Sequence, residues 1–136
     1  MTRYDTLLFL HVIGAFMLIA ALVVFAAIAL APRFAAGEEH GGSGATAALA
    51  TLGRRLGDIG GTLTLVFGVW LALDLDVYGI LDGWIIAALV LWAAAAFTAT
   101  RTAVGFSEGG RPMAMYGLMT LVTVLLLADM IWKPGA

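Results

Sequence analysis

"LLFLHVIGAFMLIAALVVFAAIAL", Leu7 to Leu30, decides the fold class, because it is an unbroken apolar run that can cross a bilayer and yet carries one imidazole, His11. A spanning helix needs about 20 predominantly apolar residues, and three later stretches reach that length. The expected spans are about 6–31, 56–75, 83–102 and 113–132 of a single integral membrane domain, the first stopping at Pro32. Between the first two lies a cytoplasmic linker over 32–55, polar and glycine-containing, which passes into an alanine-rich helical lead-in. The later links, "DLDVYGILDG" and "AVGFSEGGRP", are short. Short links favour antiparallel neighbours, so the predicted fold is all-α: a transmembrane four-helix bundle, up-down-up-down. The first run is too long for a signal h-region and lacks a basic leader, so it reads as a retained span.

Composition agrees. Hydrophobic residues make up 62% of the 136 and charged residues 12%, against roughly half apolar and a quarter charged in soluble domains. The formal charge is −2 and the arginines are scattered. That balance argues against nucleic acid as a partner and leaves the lipid bilayer as the expected one. With no cysteine, disulfides, thiolate metal sites and thiol catalysis all drop out.

The basic residues set the expected orientation. Arg33, Arg54 and Arg55 flank the first loop and Arg101 and Arg111 the third, whereas the second has Asp74, Asp76 and Asp82 with no Lys or Arg; only Arg3 and Lys133 lie at the ends. Positive loops stay inside. Both termini are therefore expected outside a bacterial cytoplasmic (inner) membrane, with Trp70, Trp84 and Trp132 as anchors at the outer interface.

In the second span Gly57, Gly61, Thr64, Gly68 and Ala72 share one face of small residues, which lets another backbone come close. His11 lies roughly 6 Å inside the hydrocarbon at 1.5 Å per residue, a depth at which an ionisable group needs a partner or a wet cavity. Gly14 and Ala15 leave room beside its ring. In the fourth span Asp129 and Met130 come to a similar depth but diverge on the helical wheel. Met130 continues the stripe of Met113, Tyr116, Thr120 and Thr123, while Asp129 continues Leu118, Val122 and Leu125. Packing of the first face brings Met130 to His11; packing of the second brings the carboxylate to the imidazole. His11 is thus either a structural hydrogen-bonding group or a ligand, metal or proton-handling residue.

At the cytoplasmic end Arg54, Arg55, Asp58 and Arg101 form a charge cluster, with Glu108 and Arg111 in the third loop. Such a ring ordinarily fixes topology and touches headgroups; the alternative is a gate. His40, beside Glu38 and Glu39 in the linker, reads as an exposed loop residue. No HExxH, phosphate-binding loop, Gly-x-Ser-x-Gly elbow or pair of inward carboxylates is present, so no catalytic residues are assigned. A bis-histidine haem lacks its second membrane histidine, whereas His11 with Met130 offers imidazole and thioether to haem or copper.

"LLFLHVIGAF", "RRLGDIGGTLTLVFGVWLAL", "DGWIIAALVLW" and "MIWKPGA" together resemble a bacterial family of four-span integral membrane proteins of unknown function, over nearly the whole chain. The copper-resistance D family is similar at "LHVIGA", which maps its histidine onto His11 and implies copper. The HemJ-like protoporphyrinogen oxidases are similar at "HVIGA", "APRF" and the arginine pair 54–55, which implies haem. Where that family has a haem-holding lysine, this chain has Ala87 and Ala88. Three readings follow. The first is a non-catalytic four-span protein, an oligomer or an accessory subunit of a larger membrane complex. The second is a haem- or copper-binding protein using His11. The third is a small-solute or proton-coupled transporter, with His11 and Asp129 at one mouth and Asp58 and Arg101 at the other.

Overall fold

The computed structural model describes residues 2–34, 42–75, 79–108 and 112–133. These residues form four helices: α1 (Arg3–Phe34), α2 (Gly42–Asp74), α3 (Gly83–Ser107) and α4 (Met113–Trp132). Each is long and apolar enough to cross a membrane. The linker residues Glu38, Glu39 and His40, together with Asp76 and Arg111, lie outside the described residues.

Two helix ends differ from the expected spans. α1 continues through Pro32 to Phe34, because a proline in the last turn removes one helical hydrogen bond without ending the helix. α2 begins at Gly42, so the alanine-rich lead-in belongs to the same helix as the second span. Alanine has the highest helix propensity, and nothing between the lead-in and the apolar run breaks the pattern.

α1 packs along α2, α3 along α4, and α2 joins the two pairs through α3; α1 touches α3 and α4 only sparsely. Arg3 meets Asp74 at 3.1 Å, tying the start of α1 to the end of α2. Lys133 Nζ lies 5.3 Å from the centre of the Trp84 ring, which brings the end of α4 to the start of α3. We call this the upper end. Side chains such as Phe9, Phe16, Val23, Val90, Phe97 and Leu121 are exposed around the outside, as a lipid-facing surface requires.

The two halves of the bundle are packed differently. Towards the lower end Phe25 stacks on Phe106, with ring centroids 6.1 Å apart and planes 13° from parallel. Ile28, Ala29, Ala50, Ala103 and Met119 close around them into one buried cluster. The upper half is held by backbone proximity between α1 and α2 instead. A Cβ built on Gly14 would lie 2.6 Å from Thr64 Oγ1 and 2.9 Å from the Gly60 carbonyl oxygen, and one on Gly60 would lie 2.7 Å from Met17 Cβ and 2.8 Å from the Gly14 carbonyl oxygen. Only glycine fits at either position.

Polar atoms in the spans follow the rule that lipid leaves no backbone or hydroxyl group to water. Thr62, Thr98, Thr100, Thr102, Thr120 and Thr123 each return their hydroxyl to a carbonyl of their own helix. Tyr116 Oη donates across to the Leu22 carbonyl at 3.4 Å. Thr64 departs from this: its Oγ1 is buried, faces Gly14 and has no hydrogen-bond partner among the described residues.

Candidate functional site

α1 carries His11 onto the face that meets α2. Nδ1 of the ring lies 2.9 Å from the Thr64 carbonyl oxygen. A carbonyl can only accept, so Nδ1 bears the proton and donates it, and the neutral ring keeps its lone pair on Nε2. Gly68 makes the contact feasible, since a Cβ there would lie 2.9 Å from His11 Cε1 and 3.0 Å from Nδ1. Nε2 has no hydrogen bond to any described residue.

Above the α1–α2 contact the four helices leave a cavity of about 220 Å³, bordered by His11, Thr64 and Gly68 and walled mainly by apolar groups such as Leu65, Leu89 and Leu126. Met130, Trp84 and Trp92 also border it, and Tyr4 and Lys133 stand at the upper end. Trp92 donates its indole N–H to the Gly61 carbonyl at 2.9 Å, which fixes the ring as part of the wall. A smaller cleft of about 60 Å³ shares His11, Thr64, Leu126 and Met130 with the cavity and continues between Ala15 and Ile19 of α1 and Leu127 of α4.

The residues singled out from the sequence divide as follows. His11 and Met130 border both spaces. Asp129 is buried, its Oδ2 has no hydrogen-bond partner among the described residues, and it borders neither space. The buried stripe of α4 is Met119, Val122, Thr123, Leu126 and Asp129. It lies between the two faces distinguished on the wheel, taking Thr123 from one and Val122 and Asp129 from the other.

On α2, Thr64 and Gly68 hold the imidazole, Ala72 lines the cavity and Gly57 faces Ala21. Gly61, expected in the close helix contact, instead presents its carbonyl to Trp92, and Gly60 makes the tight approach to α1.

In the lower half Arg54 pairs with Asp58 at 3.8 Å, both exposed. Arg55 is exposed, and Arg101 lies 5.7 Å over the Phe97 ring of its own helix. Trp70 and Trp132 are exposed as interfacial anchors require, but Trp84 is buried, because the start of α3 turns it towards the cavity.

Three partners were not legible as a site. The Thr64 carbonyl belongs to the backbone, and no side-chain inventory contains it. Gly60 adjoins Gly61 in sequence, so the wheel alone does not separate them. Trp92 did leave a signal, because a tryptophan ten residues into a span, away from the interface, needs a partner for its N–H.

The donor set is small: among the described residues no three His, Cys, Asp or Glu side chains come together. What the site offers is one oriented imidazole nitrogen, a thioether beside it, and apolar walls. Comparison with family models, curated proteins and solved structures gives no match to this chain.

Proposed function

We propose that this chain is a small, non-catalytic multi-pass protein of a bacterial cytoplasmic membrane that holds a small ligand in its upper cavity, with His11 Nε2 as the anchoring atom. One observation carries the reading: His11 Nδ1 is fixed on the Thr64 carbonyl, and Nε2 is left without a partner among the described residues, on a side chain that borders a cavity. A histidine whose second nitrogen is held by a carbonyl has a set tautomer, with the lone pair on the free nitrogen, the arrangement ligating histidines use.

The haem implied by one resemblance does not fit. A cavity of about 220 Å³ is below the roughly 300 Å³ at which pockets for drug-sized ligands begin. Copper(I) is favoured as a second reading by Met130, whose thioether borders the same space as the imidazole and makes a soft donor pair. Transport has less support, since His11 and Asp129 share no cavity and Arg101 stands apart from the Arg54–Asp58 pair.

The test compares wild type with His11→Ala, both purified in mild detergent, by elemental analysis and by mass spectrometry of an organic extract. Wild type is expected to carry a stoichiometric molecule or metal that the variant lacks. The variant itself should remain folded, losing only about 0.6–2 kcal/mol for one interhelical hydrogen bond in a membrane. Identical content in the two proteins would reduce His11 to a packing residue.

We further propose that the upper end faces outward. The contacts of Arg3 with Asp74 and of Lys133 with Trp84 support an antiparallel order, and the arginines of the first and third loops support its direction. The chain has no cysteine, so single introduced thiols report cleanly. In intact cells Ile80→Cys should react with an impermeant maleimide and Glu108→Cys only after lysis. The opposite pattern would reverse the topology.

A further inference from the structure

Resting on the reading of His11 as the anchor, we infer that the occupant is a neutral, lipid-soluble alcohol or phenol. Its hydroxyl donates to His11 Nε2, and it enters from the bilayer between α1 and α4. The polarity of the site selects the head. Nδ1 is committed as a donor to the Thr64 carbonyl, so Nε2 in the neutral ring can only accept. Of the other polar groups on the lining, Tyr4 and Lys133 stand at the upper end, and two beside the imidazole are engaged or turned away. Trp92 Nε1 serves the Gly61 carbonyl, and Thr64 Oγ1 faces Gly14. Among the described residues no carboxylate borders the cavity. A cationic head would find no counter-charge among the described residues, and an anionic head at Nε2 would oppose its lone pair, the Lys133 ammonium standing at the upper end over the Trp84 ring; a neutral hydroxyl satisfies the acceptor at Nε2.

Size and access select the rest of the molecule. An apolar cavity of about 150 Å³ is known to hold a benzene ring, so the 220 Å³ here has room for one ring or its equivalent with a hydroxyl. The adjoining cleft of about 60 Å³ runs from His11 outward between Ala15, Ile19 and Leu127. α1 and α4 touch only sparsely, and Ile19 at the cleft is exposed on the lipid-facing side. Thr123, also in the cleft, spends its hydroxyl on the Met119 carbonyl and adds no polar demand. This is a path for a hydrocarbon tail.

The experiment uses the full chain in phosphatidylcholine nanodiscs, with Trp84 and Trp92 in the cavity wall as fluorescence reporters. The probes are para-hexylphenol and para-hexylanisole, its methyl ether, which has no hydroxyl proton to donate. The phenol is expected to bind saturably and about tenfold more tightly than the ether, the worth of one donated hydrogen bond in a buried site. That preference should vanish in His11→Leu, and Ala15→Phe, which fills the cleft, should weaken the phenol.

The phenol–ether comparison on the wild-type protein needs no variant to fold. Equal binding of the two probes would overturn the inference. If neither binds while copper(I) does so through His11, the anchor reading stands and this inference falls. If no probe depends on His11, both fall.

Discussion

Replacing Gly14 or Gly60 by alanine is expected to cost about 1–3 kcal/mol each, the usual range for forcing extra volume into a tight contact, and to lower the thermal midpoint in detergent by several degrees. Each glycine directs the position of its missing Cβ at the other's carbonyl oxygen, at 2.9 Å from Gly14 and 2.8 Å from Gly60. Each therefore turns a Cα hydrogen towards the opposite helix, the geometry of a reciprocal Cα–H···O contact. Besides Thr64 Oγ1, the atoms that a new methyl would meet are Thr64 N, Leu18 N, the two carbonyls and Met17 Cβ, which are backbone or fixed to it and cannot swing aside. The only relief is to move α1 away from α2. Lipid adds no hydrophobic drive to restore the contact, because tails are as apolar as the helix surfaces they cover.

Two controls make the prediction specific. A Cβ at Gly57 would rest 3.9 Å from Ala21 Cβ, and one at Gly117 would meet nothing within 4 Å. Gly57→Ala and Gly117→Ala should be neutral or stabilising through helix propensity. Because one separation of the helices relieves both clashes, the Gly14→Ala, Gly60→Ala double variant should lose less than the sum of the singles. Similar melting curves for all four single variants would remove the close approach as the source of upper-half stability.

How much of this was legible in the sequence depends on whether the information lay in side-chain periodicity or in the third dimension. The four spans were legible because each is a run of apolar residues bounded by charge, glycine or proline, and bilayer thickness sets their length. The importance of small residues on α2 was legible for the same reason, since Gly57, Thr64 and Gly68 repeat on one face. Which glycine carries the contact was not. Gly60 and Gly61 differ by 100° on the wheel, and the choice follows from where α1 lies, which no local pattern records. The partner of His11 was sought among side chains of α4 and is a carbonyl of α2. An α-helical carbonyl is already bonded within its helix, and here Gly68, one turn on, clears the approach of a second donor as bulky as the imidazole. Met130 was legible as a neighbour of His11 by depth alone. The burial of Asp129 together with Met130's place at the cavity was not, because α4 rotates to a stripe between the two faces that the wheel distinguishes.

Gly68→Ala should change the chemistry of His11 more than it changes the fold. The added Cβ would sit 2.9 Å from Cε1 and 3.0 Å from Nδ1. The atoms it meets belong to the far end of a side chain that can rotate, so the ring yields and the helices stay. On leaving, the imidazole gives up its bond to the Thr64 carbonyl, and the proton is no longer confined to Nδ1. A ligand that needs the Nε2 lone pair then meets a ring with two tautomers and several rotamers. Affinity is expected to fall about tenfold, the equivalent of one hydrogen bond and its preorganisation. Nitrogen NMR of ring-labelled His11 should show a single Nδ1–H tautomer in wild type and a mixture in the variant. Thr64→Val is the matching control: it deletes the buried hydroxyl that has no partner while leaving the carbonyl in place, so the tautomer and the affinity should persist and stability should hold or rise. If Gly68→Ala instead leaves a single tautomer, the Thr64 carbonyl is not what orients the ring, and the cavity's claim to a prepared acceptor is lost.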